Sequence, residues 1–130
     1  MKSNLTIILF LKDRHEYNNR FLKYFFKKGG NIKLIISDGG KKKISQKIKK
    51  LFQKNTRIKY ISFPEDKTYI HYYKKILKSL KYVKTKFVLF ADNDDFFIYE
   101  NIFKFLKFLE NKNQFIGAGG KMIGFNMIKK

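Results

Sequence analysis

Three carboxylates within four residues directly follow an apolar segment, and this cluster is the part of the sequence best suited to chemistry. The segment at residues 87–91 has the length of a strand, and Asp92, Asp94 and Asp95 come after it. Carboxylates this close raise each other's pKa unless a cation or hydrogen-bond donors intervene. Divalent ions such as Mg²⁺ or Mn²⁺ prefer oxygen ligands, often one or two carboxylates together with substrate phosphates. The cluster therefore indicates a metal–phosphate site, and capping of a following helix is the alternative interpretation.

The composition of the chain limits the classes of protein to consider. With 130 residues, of which 44% are hydrophobic, residues 1–130 fit a single domain. The absence of cysteine excludes disulfides and thiol chemistry. The apolar runs fall far short of the roughly 20 residues needed to cross a bilayer, and the N-terminus lacks the pattern of a signal peptide. We therefore expect a cytoplasmic protein, with the inner face of the cell membrane as a further option.

The hydrophobic pattern predicts strands that alternate with helices. This order is typical of βαβ units, and it predicts an α/β fold with an open, mainly parallel sheet, right-handed crossovers and helices on both faces. The predicted strands cover residues 5–11, 32–36, 58–63 and 87–91, and the predicted helices cover residues 15–28, 41–54 and 69–80, with a last helix that ends near Leu109.

The excess of basic over acidic residues in the chain supports an alternative function. Its formal charge of +20 suits nucleic acid, anionic lipid or a phosphorylated substrate, although a coding sequence rich in A and T would also produce it. The predicted helix at residues 41–54 has a lysine-rich face that would suit nucleic acid or anionic membrane, or would simply be solvated. Tyr72 and Tyr73 lie among lysines and could stack on bases, but their helical spacing predicts core positions.

The acidic residues concentrate where strands are predicted to end. Ligands of open α/β sheets bind outside the carboxyl ends of the strands. A rim of carboxylates there suits a nucleoside diphosphate with a divalent ion, and Arg or Lys would complete the charge balance. Asp38 precedes two glycines and could accept hydrogen bonds from a base or ribose, or belong to an ordinary turn. Seven of the 10 acidic residues occupy such positions: Asp13, Asp38, Glu65, Asp66, Asp92, Asp94 and Asp95.

The order of these motifs resembles the nucleotide-binding half of a family-2-type glycosyltransferase with the GT-A fold. The resemblance implies a nucleotide-sugar donor, a divalent cation (Mg²⁺ or Mn²⁺) and a polysaccharide, lipid-linked or other sugar acceptor. The pieces that carry it are Lys12-Asp13-Arg14, Ser37-Asp38-Gly39-Gly40, Ala91-Asp92-Asn93-Asp94-Asp95, and Phe108-Leu109-Glu110-Asn111 followed by Gly119-Gly120.

The resemblance also implies roles for individual residues. Asp38 would contact the base, and Asp13 and Arg14 would line the nucleotide pocket. Asp92 and Asp94 would form a DxD motif, with Asp92 near the ribose and Asp94 on the metal-bound diphosphate. Asp95 would assist as a metal ligand.

Two departures from the family pattern affect the functional prediction. Phe10-Leu11-Lys12 stands where the family usually has a Pro-Thr-Tyr-type turn. The family's acceptor-binding region and catalytic base lie further downstream than this chain reaches, so the catalytic residue is unknown. We therefore expect a C-terminally truncated, nucleotide-sugar-binding domain, which is a short gene product, one piece of a split enzyme or an inactive remnant. A nucleotidyltransferase is disfavoured, because no glycine-rich basic loop follows the first strand. A nucleic-acid- or membrane-binding module stays the alternative, with nucleic acid not favoured.

Overall fold

The computed structural model describes residues 3–41, 52 and 55–124. The chain divides into two compact units, Met1–Phe97 and Ile98–Lys130. Most of the predicted helix at residues 41–54, including its lysine-rich face, lies outside the described residues. Phe52 is described, and its side chain is buried and stacks on the ring of Tyr60 at 6.5 Å between centroids.

The first unit contains a four-stranded sheet in which every described strand pair is parallel. The strand order is β3-β2-β1-β4. The predicted α/β class is thereby confirmed, and the predicted element bounds differ from the observed ones by a few residues at most. No helix in the described part of the chain is long and apolar enough to cross a bilayer. The elements are β1 (Leu5–Leu11), α1 (His15–Lys28), β2 (Lys33–Asp38), β3 (Ile58–Ser62), α2 (Tyr69–Leu80), β4 (Phe87–Asp92) and α3 (Tyr99–Asn111).

Strand β1 is the centre of the core. All seven of its residues are buried, which explains why its sequence is a nearly continuous apolar run rather than an alternating one. Ile8 is in register with Ile35 of β2 on one side and with Phe90 of β4 on the other. On one face of the sheet, Ile8 and Ile35 form a core cluster with Phe10.

Helices α1 and α2, both in the described part of the first unit, lie on opposite faces of the sheet. The β1–α1–β2 connection moves across the sheet in one direction, and the β3–α2–β4 connection moves in the other. Because crossovers between parallel strands are right-handed, opposite directions place their helices on opposite faces. Helix α1 buries Phe21, Leu22 and Phe25, and α2 covers the face that carries Ile8 and Phe10.

The apolar stripe predicted for α2 is only half buried, which corrects the sequence prediction that these residues belong to the core. Tyr72, Ile76 and Leu80 pack against the core cluster at i, i+4 and i+8. The other half of the stripe consists of Tyr69, Tyr73 and Leu77, which are 85%, 62% and 63% exposed. Successive helical residues are rotated by about 100°, so a stripe that uses neighbouring positions is wider than the face that the sheet can cover.

The second unit contains α3 and the chain that follows it. The sequence predicts a helix end near Leu109, and the helix ends at Asn111. The segment after it turns back, since the ring of Phe115 packs on that of Phe108 with 5.2 Å between centroids.

Gly39 gives a direct test of the packing at the end of β2. A Cβ at this position would overlap the side chain of Asp66, which is buried and paired with Lys75 and therefore cannot move aside freely. We expect Gly39→Ala to lower the free energy of unfolding by about 1–3 kcal/mol, measured by urea denaturation. Gly117→Ala is the matched control, because no atom lies within 4 Å of its Cβ position. Equal losses in the two variants would contradict the packing described here.

Candidate functional site at the carboxyl ends of the strands

A cleft lies at the carboxyl ends of β1 and β4, where the strand order reverses. Strands β2 and β3 continue the sheet on one side of β1, and β4 lies on the other. In open α/β sheets, ligands bind at such a point, outside the carboxyl ends of the strands. The cleft measures about 910 Å³, a size typical of small-molecule sites. It is lined by the end of β1, the turn after β4, and the first turns of α2 with the segment before them.

The turn between β1 and α1 has an uncommon backbone conformation. Asp13 and Arg14 both have φ of 58°, in the left-handed region that residues with a Cβ seldom adopt. Such strain persists where surrounding contacts fix it. Asn18 supplies two of them: its Nδ2 donates to the Asp13 carbonyl at 3.0 Å, and its backbone N donates to the Arg14 carbonyl at 3.2 Å. This conformation places Arg14 on the wall of the cleft.

The turn after β4 is joined to the β1–α1 turn by a buried hydrogen bond. Asn93 Nδ2 donates to Asn18 Oδ1 at 2.7 Å, and the two residues are only 5% and 3% exposed. Sequence reasoning missed this pair. A signal was present, because Asn18 lies on the same helical face as Phe21, Leu22 and Phe25. A polar residue on a buried face needs a partner, and Asn93 is that partner.

Asp94 forms an ion pair across the two turns. Its Oδ2 lies 2.9 Å from Arg14 Nη1, and its backbone carbonyl accepts a hydrogen bond from Arg20 Nη2 at 3.3 Å. The Arg14 and Asp94 side chains are 59% and 46% exposed. Ion pairs this exposed contribute little to stability, so a ligand can exchange with either partner at low cost.

Asp92 is the last residue of β4, and it lines the cleft together with Asp94. Burial raises the pKa of Asp92 above its ordinary value, and the neighbouring Asp95 and Asp94 raise it further. Lys75 and Arg14 oppose this shift. A carboxylate held in this way gains from an additional cation nearby, because the cation favours its ionised form.

Asp95 closes the turn, and the described lining of the cleft includes Asp92 and Asp94 but not Asp95. Asp95 Oδ2 accepts a hydrogen bond from the Asp92 backbone N at 3.3 Å, and its own backbone N donates to the Asp92 carbonyl. Within the described residues, no three His, Cys, Asp or Glu side chains form a group that could hold a metal. Two carboxylates completed by phosphate oxygens are a usual arrangement for Mg²⁺. The donor set therefore fits a metal that arrives with a diphosphate.

A buried ion pair lies at the inner wall of the cleft. Lys75 Nζ is 2.5 Å from Asp66 Oδ2 and donates to the Leu11 carbonyl at 3.3 Å, and both charged side chains are almost fully buried. The pair joins α2 to the end of β1 and to the segment after β3. Sequence reasoning missed Lys75, although its position between Tyr72 and Ser79 puts it on the face of α2 that packs on the sheet.

Comparison with known proteins gives this arrangement a family. The model for glycosyl transferase family 2 matches residues 11–125, which is most of the chain and includes both turns of the cleft. The chain belongs to glycosyl transferase family 2. The resemblance drawn from the sequence motifs is thereby confirmed, and membership implies in general a nucleotide-sugar donor and a sugar acceptor. A comparison with curated proteins found no match.

Asp38, which the resemblance to family-2 glycosyltransferases assigns to the base, has both carboxylate oxygens bonded inside the protein. Tyr60 Oη donates to Oδ2 at 2.7 Å and the Gly40 backbone N donates to Oδ1 at 2.8 Å. Burial, and then the adjacent carboxylate, raise the pKa of Tyr60. Asp38 lies at the same sheet edge as Asp94, but it is 4% exposed and outside the described lining of the cleft. Its contact with a base stays a prediction.

Asp13 and Arg14, which the resemblance also assigns to the nucleotide pocket, have different environments. Asp13 Oδ1 accepts a hydrogen bond from the Lys41 backbone N at 3.1 Å, which joins the turn after β1 to the segment after β2. Among the described residues, Arg14 and Lys12 line the cleft and Asp13 does not. Arg14 thus lies on the wall of the cleft, and Asp13 has a contact that supports the rim.

Breaking the buried pair should strongly destabilise the fold. Lys75→Met would leave Asp66 buried without its cation, and we expect a loss of about 3–5 kcal/mol in the free energy of unfolding. Adding Asp66→Asn should recover part of that loss, because the remaining buried group is then neutral. Lys78→Met is the control: its pair with Glu65 is 3.7 Å long and exposed, so the loss should stay below about 1 kcal/mol. Urea denaturation of Lys75→Met, Asp66→Asn, the double variant and Lys78→Met measures the coupling, and a double variant whose loss equals the sum of the two single losses would contradict it.

Proposed function

We propose that the cleft binds the nucleoside diphosphate portion of a nucleotide-sugar, with a divalent cation held by Asp92 and Asp94 as a DxD motif. The chain is then the donor-binding part of a glycosyltransferase, which transfers the sugar to an acceptor hydroxyl. The observation that carries the proposal is the pair of cleft-lining carboxylates at the point where the strand order reverses.

The charges around the cleft support a diphosphate ligand. Lys12, Arg14 and Lys67 line it together with the carboxylates. Cations and a metal held by carboxylates are the combination that neutralises a diphosphate. In the structure described here, the Arg14 guanidinium is paired with Asp94. A metal on Asp94 would release this guanidinium, whose planar donors then suit a phosphate oxygen pair.

These residues would act on the leaving group of the transfer reaction. As the acceptor hydroxyl attacks the anomeric carbon, negative charge develops on the nucleoside diphosphate. A divalent ion, when bound, supplies charge neutralisation at that group. Arg14, whose backbone is fixed by the turn that Asn18 supports, would contact the phosphates once its guanidinium has left Asp94.

The assignments of the cleft's carboxylates also support a donor-binding role. Three carboxylates line the described part of the cleft: Asp66, Asp92 and Asp94. Asp66 is paired with the buried Lys75, and the proposal uses Asp92 and Asp94 for the metal. None of the three is then assigned to take a proton from the acceptor hydroxyl, so the proposal for this cleft is limited to donor binding.

Thermal unfolding tests the proposal. We expect Mn²⁺ and a nucleoside diphosphate to raise the melting temperature together more than either does alone, because the metal and phosphates complete each other's ligands. Ligand at 100 times its Kd stabilises the folded state by about 2.7 kcal/mol. Asp94→Asn should abolish the joint shift, since it removes a charged metal ligand while keeping the shape of the side chain.

Glu65→Gln is the matched control for this experiment. It also removes one carboxylate at the same sheet edge, but Glu65 is exposed and outside the described lining of the cleft. The control should keep the full joint shift. If the parent protein shows no joint shift with ADP, GDP, CDP or UDP, the proposed function is wrong; an equal shift in Asp94→Asn would remove Asp94 from the site.

A further inference from the structure

The cleft has an aromatic wall as well as acidic and basic residues. Phe10, Tyr69, Tyr72 and Tyr73 all line it, and the three tyrosines come from the first turns of α2. The ring of Tyr72 packs on Phe10 with 5.7 Å between centroids, and Tyr73 meets Tyr72 edge-on at 6.0 Å. Tyr72 therefore packs against the core, and it supports Tyr73 at the surface.

Tyr69 and Tyr73 are exposed although they line a cleft. They are 85% and 62% exposed. They are four residues apart, so they lie next to each other on one face of the helix. Tyrosine rings combine a large apolar surface with a polar tip, and they are favoured where a protein contacts a ligand. Two adjacent, exposed rings inside a cleft thus form a surface on which a planar ligand group can stack.

The neighbouring charges indicate which planar group would stack. Lys12, Arg14 and Lys67 line the same cleft as the tyrosines. A ligand that satisfies both features carries a flat ring at one end and an anionic group at the other. The nucleoside diphosphate of the proposed function has this composition, with the nucleobase as its flat ring.

The ends of β1 and β2 do not offer a comparable surface. Leu11, at the end of β1, is aliphatic and 1% exposed, and Asp38, at the end of β2, has both carboxylate oxygens bonded to Tyr60 and Gly40. Among the described residues at these two strand ends, no exposed ring lines the cleft, and each carboxylate oxygen of Asp38 already accepts a hydrogen bond from within the protein. Among the described residues, α2 is the element that presents exposed rings to the cleft.

We propose that Tyr69 and Tyr73 form the platform on which the nucleobase stacks. The inference rests on the proposed function, because it assumes that the ligand of the cleft is a nucleoside diphosphate. It adds that α2 supplies the contact with the base. The platform would bind every nucleobase to some extent, because stacking uses the ring face and not a pattern of hydrogen bonds.

The test compares ligands with and without a base by isothermal titration calorimetry in the presence of Mn²⁺. The ligands are ADP, GDP, CDP, UDP and ribose 5-diphosphate, which lacks only the base. We expect the parent protein to bind at least one nucleoside diphosphate more tightly than ribose 5-diphosphate. The double variant Tyr69→Leu, Tyr73→Leu should bind that nucleoside diphosphate about tenfold or more weakly than the parent does. Its affinity for ribose 5-diphosphate should equal that of the parent. Tyr73→Phe keeps the ring and should bind as the parent does.

Tyr82→Leu is the control for the loss of a surface tyrosine. Tyr82 is 45% exposed, packs on the Lys59 ammonium and is outside the described lining of the cleft. Tyr82→Leu should leave the affinity for each of these ligands unchanged. Circular dichroism of each variant checks that it is folded. Unchanged nucleoside diphosphate binding in the double variant would overturn the platform while the proposed function stands. A parent protein that binds neither kind of ligand would overturn both.

Discussion

The parallel pairing of β1 with both β2 and β4 is the constraint on which the rest of this structure depends. The strand order reverses between β1 and β4, and the cleft lies at the carboxyl ends of these two strands. Side-chain contacts fix the segments around it. Asn18 and Asn93 join the two turns on one side, and Lys75 with Asp66 ties α2 to the end of β1 on the other.

The carboxylates of the acidic rim have two kinds of environment. Asp38 and Asp13 accept hydrogen bonds from groups within the rim, and Asp95 closes its own turn. Carboxylates at these positions accept hydrogen bonds from backbone N–H groups that have no partner within the strands. Asp92 and Asp94 differ, because both line the cleft and Asp94 pairs with an exposed arginine. A cluster of acids at strand ends is therefore partly structural even in a family that binds nucleotide-sugars.

The sequence was sufficient to predict the helices and strands but not the long-range contacts between them. Periodicity predicted α1 over its observed range, His15–Lys28, and the apolar run at Leu5–Leu11 indicated a strand buried on both faces. The bond between Asn18 and Asn93 spans 75 positions, and no local pattern pairs these two residues. The burial of Lys75 could not be predicted for the same reason, since its partner Asp66 lies in a loop and no local pattern pairs the two residues. Periodicity also cannot tell which half of the wide α2 stripe the sheet covers.

The central claim is that the carboxyl edge of β1 and β4 holds a metal-bridged diphosphate. Nuclear magnetic resonance with Mn²⁺ tests it most directly, because the paramagnetic ion broadens the signals of nearby amides. With Mn²⁺ and a nucleoside diphosphate together, we predict selective broadening at the amides of Asp92, Asn93, Asp94 and Arg14, with the amides of Leu5 and Phe87 at the opposite ends of the same strands unaffected. Broadening that is absent from the Asp92–Asp94 turn, or centred on another part of the chain, would contradict the account.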